Sequence, residues 1–316
     1  RQWPLPAVPP LEHTELVHYA EFSADGRRIL TAALDNTARL WDAETGLPMG
    51  MPLAHDRMAI QHPEIFRRGQ KCLQACFSPD GTKVATASVD GTARVWDGWS
   101  GEPLTPPLRH EDWVTAVAFN RDGNLIATGS RDGRVRLWST GGNDASVAEF
   151  DLGVSVNFVE FSPDGERLLA GGARGVARIG DLASSRWLGE PLRHVQSVRD
   201  GRFSPDGERV ATASADGTVR IWKARDATPL TPVMRHEAQV LVVRFSPDGA
   251  WLATGAYDQT ARLWDGFTGT PLGRPLEHAG IVRAVEFTPD NRHLLTAAED
   301  RTVRIWEVAS GRLAME

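Results

Sequence analysis

Histidine, serine and aspartate recur as a set in this chain of 316 residues. His55, Ser88 and Asp90 form one set, His110, Ser130 and Asp132 a second, and His194, Ser214 and Asp216 a third. Such a trio can activate a hydroxyl nucleophile through a general base. The repetition argues against that chemistry, because an enzyme does not need three copies of its nucleophile and a scaffold does repeat its parts. No Gly-x-Ser-x-Gly elbow, P-loop or His-Glu-x-x-His motif accompanies the sets. Two cysteines, Cys72 and Cys76, fall on one expected strand, too far apart to bridge comfortably. They read as free thiols of a reducing compartment. With no second cysteine pair or histidine cluster beside them, they complete no metal site. The expectation is therefore no catalytic residue, no metal and no cofactor.

The sets belong to a longer pattern. Turn aspartates stand at Asp35, Asp90, Asp132, Asp216, Asp258 and Asp300, and Arg174 takes the place of a seventh. The first step is 55 residues and every later one is 42, so the long step marks an insertion. Each unit opens on a histidine (His13, His55, His110, His194, His236, His278) and closes on a tryptophan (Trp41, Trp96, Trp138, Trp222, Trp264, Trp306). In the fourth unit Leu152 and Gly180 replace them. The unit cores run over 13–42, 55–97, 110–139, 152–181, 194–223, 236–265 and 278–307. Within each, short alternating apolar stretches are broken by Asp-Gly or Asp-Asn turns, the signature of hairpin strands.

In five units the histidine precedes the aspartate by 22 residues and the aspartate precedes the tryptophan by 6. On these residues the chain resembles the WD-repeat (WD40) family over roughly residues 11–308. The resemblance implies an all-β fold: a single seven-bladed β-propeller over 1–316, with four-stranded antiparallel blades. It implies closure of the ring by an N-terminal strand at about 5–12 entering the last blade, with the tail 312–316 competing for the same slot. It also implies that each turn aspartate binds the histidine, and that a serine on the second strand links histidine to the tryptophan indole. Ser88, Ser130 and Ser214 occupy that place, whereas Ala33, Ala256 and Ala298 stand there in three units, where only the shorter His–Asp link is expected. The fourth unit keeps its apolar alternation and is expected to fold as the least rigid blade. Arrays of the TARLWD type also resemble those at the end of large bacterial proteins carrying a Ser/Thr kinase or a nucleotide-hydrolysing domain. That likeness offers an alternative role as a regulatory module of a parent chain.

A formal net charge of −6 argues against a protein that mainly coats nucleic acid. No apolar run is long enough to cross a membrane, and the chain opens without a secretory signal. A monomeric cytoplasmic protein is expected. An arginine two residues before the tryptophan place recurs in all seven units (Arg39, Arg94, Arg136, Arg178, Arg220, Arg262, Arg304), which suits stems that cover apolar surface and heads that reach water or a carboxylate. The residue before the inner-strand phenylalanine varies (Glu21, Cys76, Ala118, Glu160, Arg202, Arg244, Glu286), and its mixed charges predict internal pairing. Function is sought where the units differ. The insertion 56–70 holds Arg57, Arg67 and Arg68, with Lys71 next to it. Trp113, Arg131, Tyr257, Arg199 and Arg283 lie at strand entries and turns of one blade end. Tryptophan, tyrosine and arginine dominate interface hot spots. These residues, with the basic insertion, are expected to dock a partner protein or peptide, with basic character suited to an acidic or phosphorylated segment. The leading reading is a non-catalytic interaction platform.

Overall fold

The computed structural model describes residues 9–55, 72–142 and 145–315, the side chains of His18 and Cys72 excepted. The chain divides after Asp151 into two compact units. The first unit holds three four-stranded antiparallel sheets. They are β1 (Val17–Phe22), β2 (Arg28–Ala33), β3 (Thr37–Asp42) and β4 (Pro48–Ala54); then β5 (Cys72–Phe77), β6 (Lys83–Ser88), β7 (Thr92–Asp97) and β8 (Leu108–Arg109); then β9 (Val114–Phe119), β10 (Leu125–Ser130), β11 (Arg134–Ser139) and β12 (Ser146–Asp151). The second unit holds four such sheets. They comprise β13 (Val156–Phe161), β14 (Arg167–Gly172), β15 (Val176–Asp181) and β16 (Arg186–Arg193); β17 (Val198–Phe203), β18 (Arg209–Ser214), β19 (Thr218–Lys223) and β20 (Met234–Arg235); β21 (Val240–Phe245), β22 (Trp251–Ala256), β23 (Thr260–Asp265) and β24 (Pro271–Glu277); and β25 (Val282–Phe287), β26 (His293–Ala298), β27 (Val303–Glu307) and β28 (Leu313–Met315). These are the seven blades of a β-propeller fold, each a meander from its inner to its outer strand.

The degenerate fourth unit forms a full blade. Its β14 pairs with β15 in register from Arg167↔Asp181 to Gly171↔Ala177. Closure of the last blade differs from expectation. Its fourth strand is Leu313–Met315, paired to Ile305 and Trp306. Residues 9–12 form no strand, and 1–8 lie outside the described residues. The tail competes for the slot and holds it, because it follows β27 through a tight turn in which Gly311 N donates to Glu307 O at 2.8 Å. The insertion 56–70, with Arg57, Arg67, Arg68 and Lys71, also lies outside the described residues.

The second strand of most blades is buried on both sides, so it reads as small and aliphatic residues rather than as a clean alternation. Within a unit, blades pack face to face. Leu169, Ile179 and Leu192 of the fourth blade meet Val198, Phe203, Val210 and Trp222 of the fifth. Ala85, Val95 and Leu108 of the second blade meet Val114, Ile126 and Trp138 of the third. The first blade shows Phe22 64% exposed where Phe203 of the fifth is 6% exposed. The turn between second and third strands needs a left-handed residue after the aspartate place. Gly133 supplies it at φ 87° and Gly217 at φ 80°, while Gln259 adopts it at φ 67°.

A junction clamp joins some neighbouring blades within each unit. The buried Arg28 donates from Nη1 to Gly81 O (2.8 Å) and Gly98 O (2.7 Å) of the next blade, with its guanidinium 3.7 Å from the Trp99 ring centroid. Arg209 repeats the arrangement with Gly249 O (3.0 Å), Gly266 O (2.7 Å) and the Phe267 ring at 3.9 Å. Lys83 does the same work at the second junction, reaching Gly123 O at 2.9 Å and Thr140 Oγ1 at 3.1 Å. Truncating Arg209 removes a charged donor and leaves two carbonyls unpaired. Arg209→Met should therefore cost about 2–4 kcal/mol, read as a lower urea midpoint, whereas exposed Arg225→Met should stay within about 0.5 kcal/mol.

Candidate functional site

The His–Asp–Trp residues form a polar relay in six blades, and the middle member is a threonine rather than the expected serine. In the third blade Trp138 Nε1 donates to Thr128 Oγ1 at 2.8 Å, Thr128 Oγ1 lies 2.7 Å from His110 Nε2, and His110 Nδ1 lies 3.0 Å from Asp132 Oδ2. Thr31, Thr86, Thr212, Thr254 and Thr296 take the same place, each 2.7 Å from its histidine Nε2. The carboxylate can only accept, so Nδ1 carries the proton. In a neutral ring Nε2 is then an acceptor, and the threonine hydroxyl donates to it while accepting from the indole. Histidine and tryptophan rings meet edge to face at 5.9–6.3 Å between centroids.

The serines do something else. Ser130 Oγ donates to Asp112 O at 3.0 Å and accepts from Asp132 N at 3.1 Å, which latches the turn to the incoming loop. Ser214 repeats this with Gln196 O and Asp216 N. The blades with Ala33, Ala256 and Ala298 lose only that latch. Their relays are complete: His13–Asp35 at 2.9 Å, His236–Asp258 at 2.9 Å and His278–Asp300 at 3.3 Å, with indole donors Trp41, Trp264 and Trp306. The expectation of a shortened link in those three is corrected. In the second blade His55 Nδ1 lies 3.0 Å from Thr92 Oγ1 and 3.2 Å from Asp90 Oδ2, with Trp96 on Thr86. In the fifth, His194 Nδ1 sits on Thr218 Oγ1 at 2.8 Å, Asp216 is 3.7 Å away, and Trp222 donates to Thr212.

The fourth blade has exchanged the whole relay. Leu152, Ala170, Arg174 and Gly180 stand for histidine, threonine, aspartate and tryptophan, and no polar member is left stranded. Trp187, on the outer strand directly across from Gly180, lies 5.7 Å from the Arg178 guanidinium. Elsewhere the corresponding arginine meets the relay tryptophan, as Arg220 does Trp222 at 5.7 Å. The recurrent arginines have the structural use expected of them. Arg136 Nε donates to Glu149 at 2.7 Å, and Arg304 Nη1 to Glu277 O at 2.7 Å.

The inner strands carry a charged ladder in the second unit. Glu160 lies 3.5 Å from Arg202, Arg202 3.5 Å from Asp200, Asp200 2.6 Å from Arg244, and Arg244 3.6 Å from Glu286. Internal pairing was the expectation from their mixed signs. Two of these carboxylates also accept a backbone N–H of the next inner strand, Glu160 from Phe203 (2.7 Å) and Asp200 from Val243 (3.1 Å). Burial pushes the Glu160 carboxyl up to about 6, against the pull of Arg202 and the Phe203 N–H. Burial likewise pushes His194 down to about 4, opposed by Asp216. Asp132 is held at about 2, because hydrogen bonds from His110 and neighbouring N–H groups outweigh its burial.

The residues that differ between blades at strand entries and turns take no part in the relay. In the first unit the Arg131 guanidinium stacks 3.7 Å from the Trp113 ring centroid, and Arg131 N donates to Trp113 O at 2.9 Å. In the second unit Arg283 lies 5.3 Å from the ring centroid of Tyr257 and donates from Nε to Glu299 at 2.8 Å. Arg199 Nη2 reaches Gln239 Oε1 at 3.3 Å. The structure thus pairs Trp113 with Arg131 within the first unit and Tyr257 with Arg283 within the second. The bracing partners Gln239 and Glu299 were not singled out as site residues, although both precede repeat positions and vary from unit to unit. Cys76 is a free thiol. Among the described residues, no helix is long and apolar enough to cross a membrane.

Comparison with known proteins agrees with this architecture. The family described as "WD domain, G-beta repeat" (WD40) matches residues 10–42, 67–97, 101–139, 189–223, 228–265 and 269–307. The chain belongs to the WD40 repeat family. The unmatched stretch between 139 and 189 contains the blade that has lost its relay. Among relatives, THO complex subunit 3 of Arabidopsis thaliana is 32% identical over 91 residues, 28% of this chain and 26% of that protein. WD repeat-containing protein 1 of Gallus gallus is 33% identical over 91 residues, 27% of this chain and 12% of that protein. Mitochondrial division protein 1 of Aspergillus clavatus is 31% identical over 85 residues, covering 27% of this chain and 11% of that protein. The chain therefore spans between 11% and 26% of the length of these three relatives. The crystal structure of the computationally designed Ika8 protein superposes with a TM-score of 0.80 at 22% identity, covering 96% of this chain and 87% of that one.

Two measurements check the relay. Thr254→Val keeps the shape but orphans the Trp264 indole and the His236 ring, and should cost about 2–4 kcal/mol in urea denaturation, against about 1 kcal/mol for Ser130→Ala. The pH dependence follows from the two shifted groups. His194 is below its unfolded value, so the unfolded state takes up the proton first. The His194 contribution to stability should fall by about 3 kcal/mol as pH drops from 6.5 to 4 and be constant below. Glu160 has the opposite sense: raised above its unfolded value, it should remove at most about 2 kcal/mol as pH rises from 4.5 to 6. The two windows overlap, so between pH 4.5 and 6 the contributions oppose each other: Glu160→Gln should unmask the loss toward acid caused by His194, and His194→Gln should unmask the loss with rising pH caused by Glu160.

Proposed function

We propose that this chain is a non-catalytic interaction platform that binds a partner protein or peptide through the blade ends carrying Trp113 and Arg131 in the first unit and Tyr257, Arg199 and Arg283 in the second. One observation carries the reading. The repeated polar residues are consumed by the relay, whereas the varying positions hold arginines over partly exposed aromatic rings, Arg131 on Trp113 at 3.7 Å and Arg283 on Tyr257 at 5.3 Å. Planar cations and aromatic faces are the side chains that give large, desolvated contacts at interfaces. The basic groups favour an acidic or phosphorylated segment. THO complex subunit 3 is by name a subunit of a complex, which is consistent with an interaction role carried by the shared repeats. The His–Ser–Asp sets supply no nucleophile in this reading, since Ser130 and Ser214 are spent on loop carbonyls and turn N–H groups.

The test is capture of a partner from native lysate by the immobilised protein, followed by affinity measurement with the purified partner. Trp113→Ala combined with Arg131→Ala, or Tyr257→Ala, should weaken binding at least about tenfold, as loss of an interface hot spot does. Unchanged affinity in both variants, with the fold intact by circular dichroism, would move the interface away from these blade ends.

A further inference from the structure

The second unit distributes its surface charge unevenly. Arg283 and Arg199 occupy the same register position, just after the inner-strand valine, on β25 and β17. Arg283 is neutralised, since it donates from Nε and Nη2 to Glu299 Oε1. Arg199 is not. It is exposed, its side-chain partner is the neutral amide of Gln239 at 3.3 Å, and among the described residues no carboxylate lies within ion-pair distance of it. Between the two lies Tyr257, 38% exposed, whose backbone N–H donates to Gln239 O at 2.9 Å and whose ring is covered on one side by the Arg283 guanidinium. The contacts run without a break from Arg199 through Gln239 and Tyr257 to Arg283 and Glu299.

We infer that this strip is a two-point reader of a linear partner segment: Arg199 receives one anionic group, and Tyr257 receives an apolar or aromatic side chain beside it. The inference rests on the interaction role proposed above and assigns the chemistry of one of its two clusters. Arg283 acts through the tyrosine. Its charge is taken up by Glu299, so it braces the ring rather than meeting the partner, and it is a positioning residue. Glu299 then has a selective role, because it prevents Arg283 from becoming a second anion site. A carboxylate and a phosphate present the same acceptor chemistry to Arg199, and a bidentate guanidinium accommodates either.

The probe is a positional-scanning array of short peptides in which each position is fixed in turn as Asp, Glu, phosphoserine, Ser, Gln, Leu or Phe, read with labelled protein. The best peptide is then titrated against variants at several salt concentrations. The intact protein should prefer an anionic residue next to a Leu or Phe, and comparison of Glu with phosphoserine tells which source the site favours. Arg199→Gln should abolish the anionic preference and weaken the best peptide about tenfold, leaving the Leu or Phe preference in place. Tyr257→Ala should do the reverse. Glu299→Gln frees Arg283 and should strengthen binding of doubly anionic peptides and steepen their salt dependence, an effect that a merely structural glutamate would not produce. An anionic preference that survives Arg199→Gln, the absence of any anionic preference, or no binding to any peptide would overturn the inference. Those outcomes leave the broader interaction role standing if lysate capture still depends on Trp113 and Arg131.

Discussion

The relay from tryptophan to threonine to histidine to aspartate is the interaction on which the blades depend. It ties the loop before the inner strand, the second strand, the turn and the third strand with side chains that are almost wholly buried. A hydroxyl is the smallest group that can accept from an indole and donate to an imidazole in one place. The arrangement satisfies every member only when all are present, and a buried donor or acceptor left alone costs more than the bond contributed. The fourth blade shows the other solution. It has replaced all four members together, with Leu152 and Ala170 buried in their stead, and brings Trp187 from the neighbouring strand across the space left by Gly180. Exchanging a buried polar set wholesale for apolar packing can be nearly neutral, whereas losing one partner is not.

Because the framework takes up its own polar groups, chemistry with the outside is left to positions the repeat does not constrain. The inner-strand ladder is one such set, and its alternating signs neutralise one another from Glu160 to Glu286. The strand entries and turns are another, and there the arginines meet aromatic faces. The same residue type thus has three fates in this chain. Arg28 and Arg209 are buried and bind carbonyls of the next blade, the recurrent arginines brace the outer strands, and Arg131, Arg199 and Arg283 lie at exposed blade ends. Environment rather than identity decides among them, since a guanidinium stays charged in all three and is stabilised by whatever acceptors or rings surround it.

Much of the architecture was legible in the chain itself. The step of 42 residues, the alternating apolar stretches and the turn residues lead to the blades, including the fourth, whose apolar pattern outlasts its polar one. The relay was legible except for its middle member. Thr31, Thr86, Thr128, Thr212, Thr254 and Thr296 keep the repeat step, and Ala170 stands at their place in the fourth unit where the relay is absent, so the signal was present. It was masked by serines that recur two residues later on the same strand. The clamps of Arg28 and Arg209 left a weaker trace: a basic residue keeps the repeat step at Arg28, Lys83, Arg167 and Arg209, but Leu125, Trp251 and His293 stand at that register position in the other units.

Sequence alone determined the all-β class, the seven repeats, the place of the inner three strands of each unit and the histidine, aspartate and tryptophan of the relay, because these follow from local periodicity and from side chains whose chemistry admits few roles. Tertiary structure alone decided three things. It chose threonine over serine, since which hydroxyl faces the histidine depends on strand register and on the direction each side chain leaves the sheet. It gave the last blade its outer strand from Leu313–Met315, since a pairing partner is chosen by proximity and not by composition. And it separated Arg199, beside a neutral amide, from Arg283, held by Glu299, a distinction that rests on contacts between residues 16 and 40 positions apart in the chain.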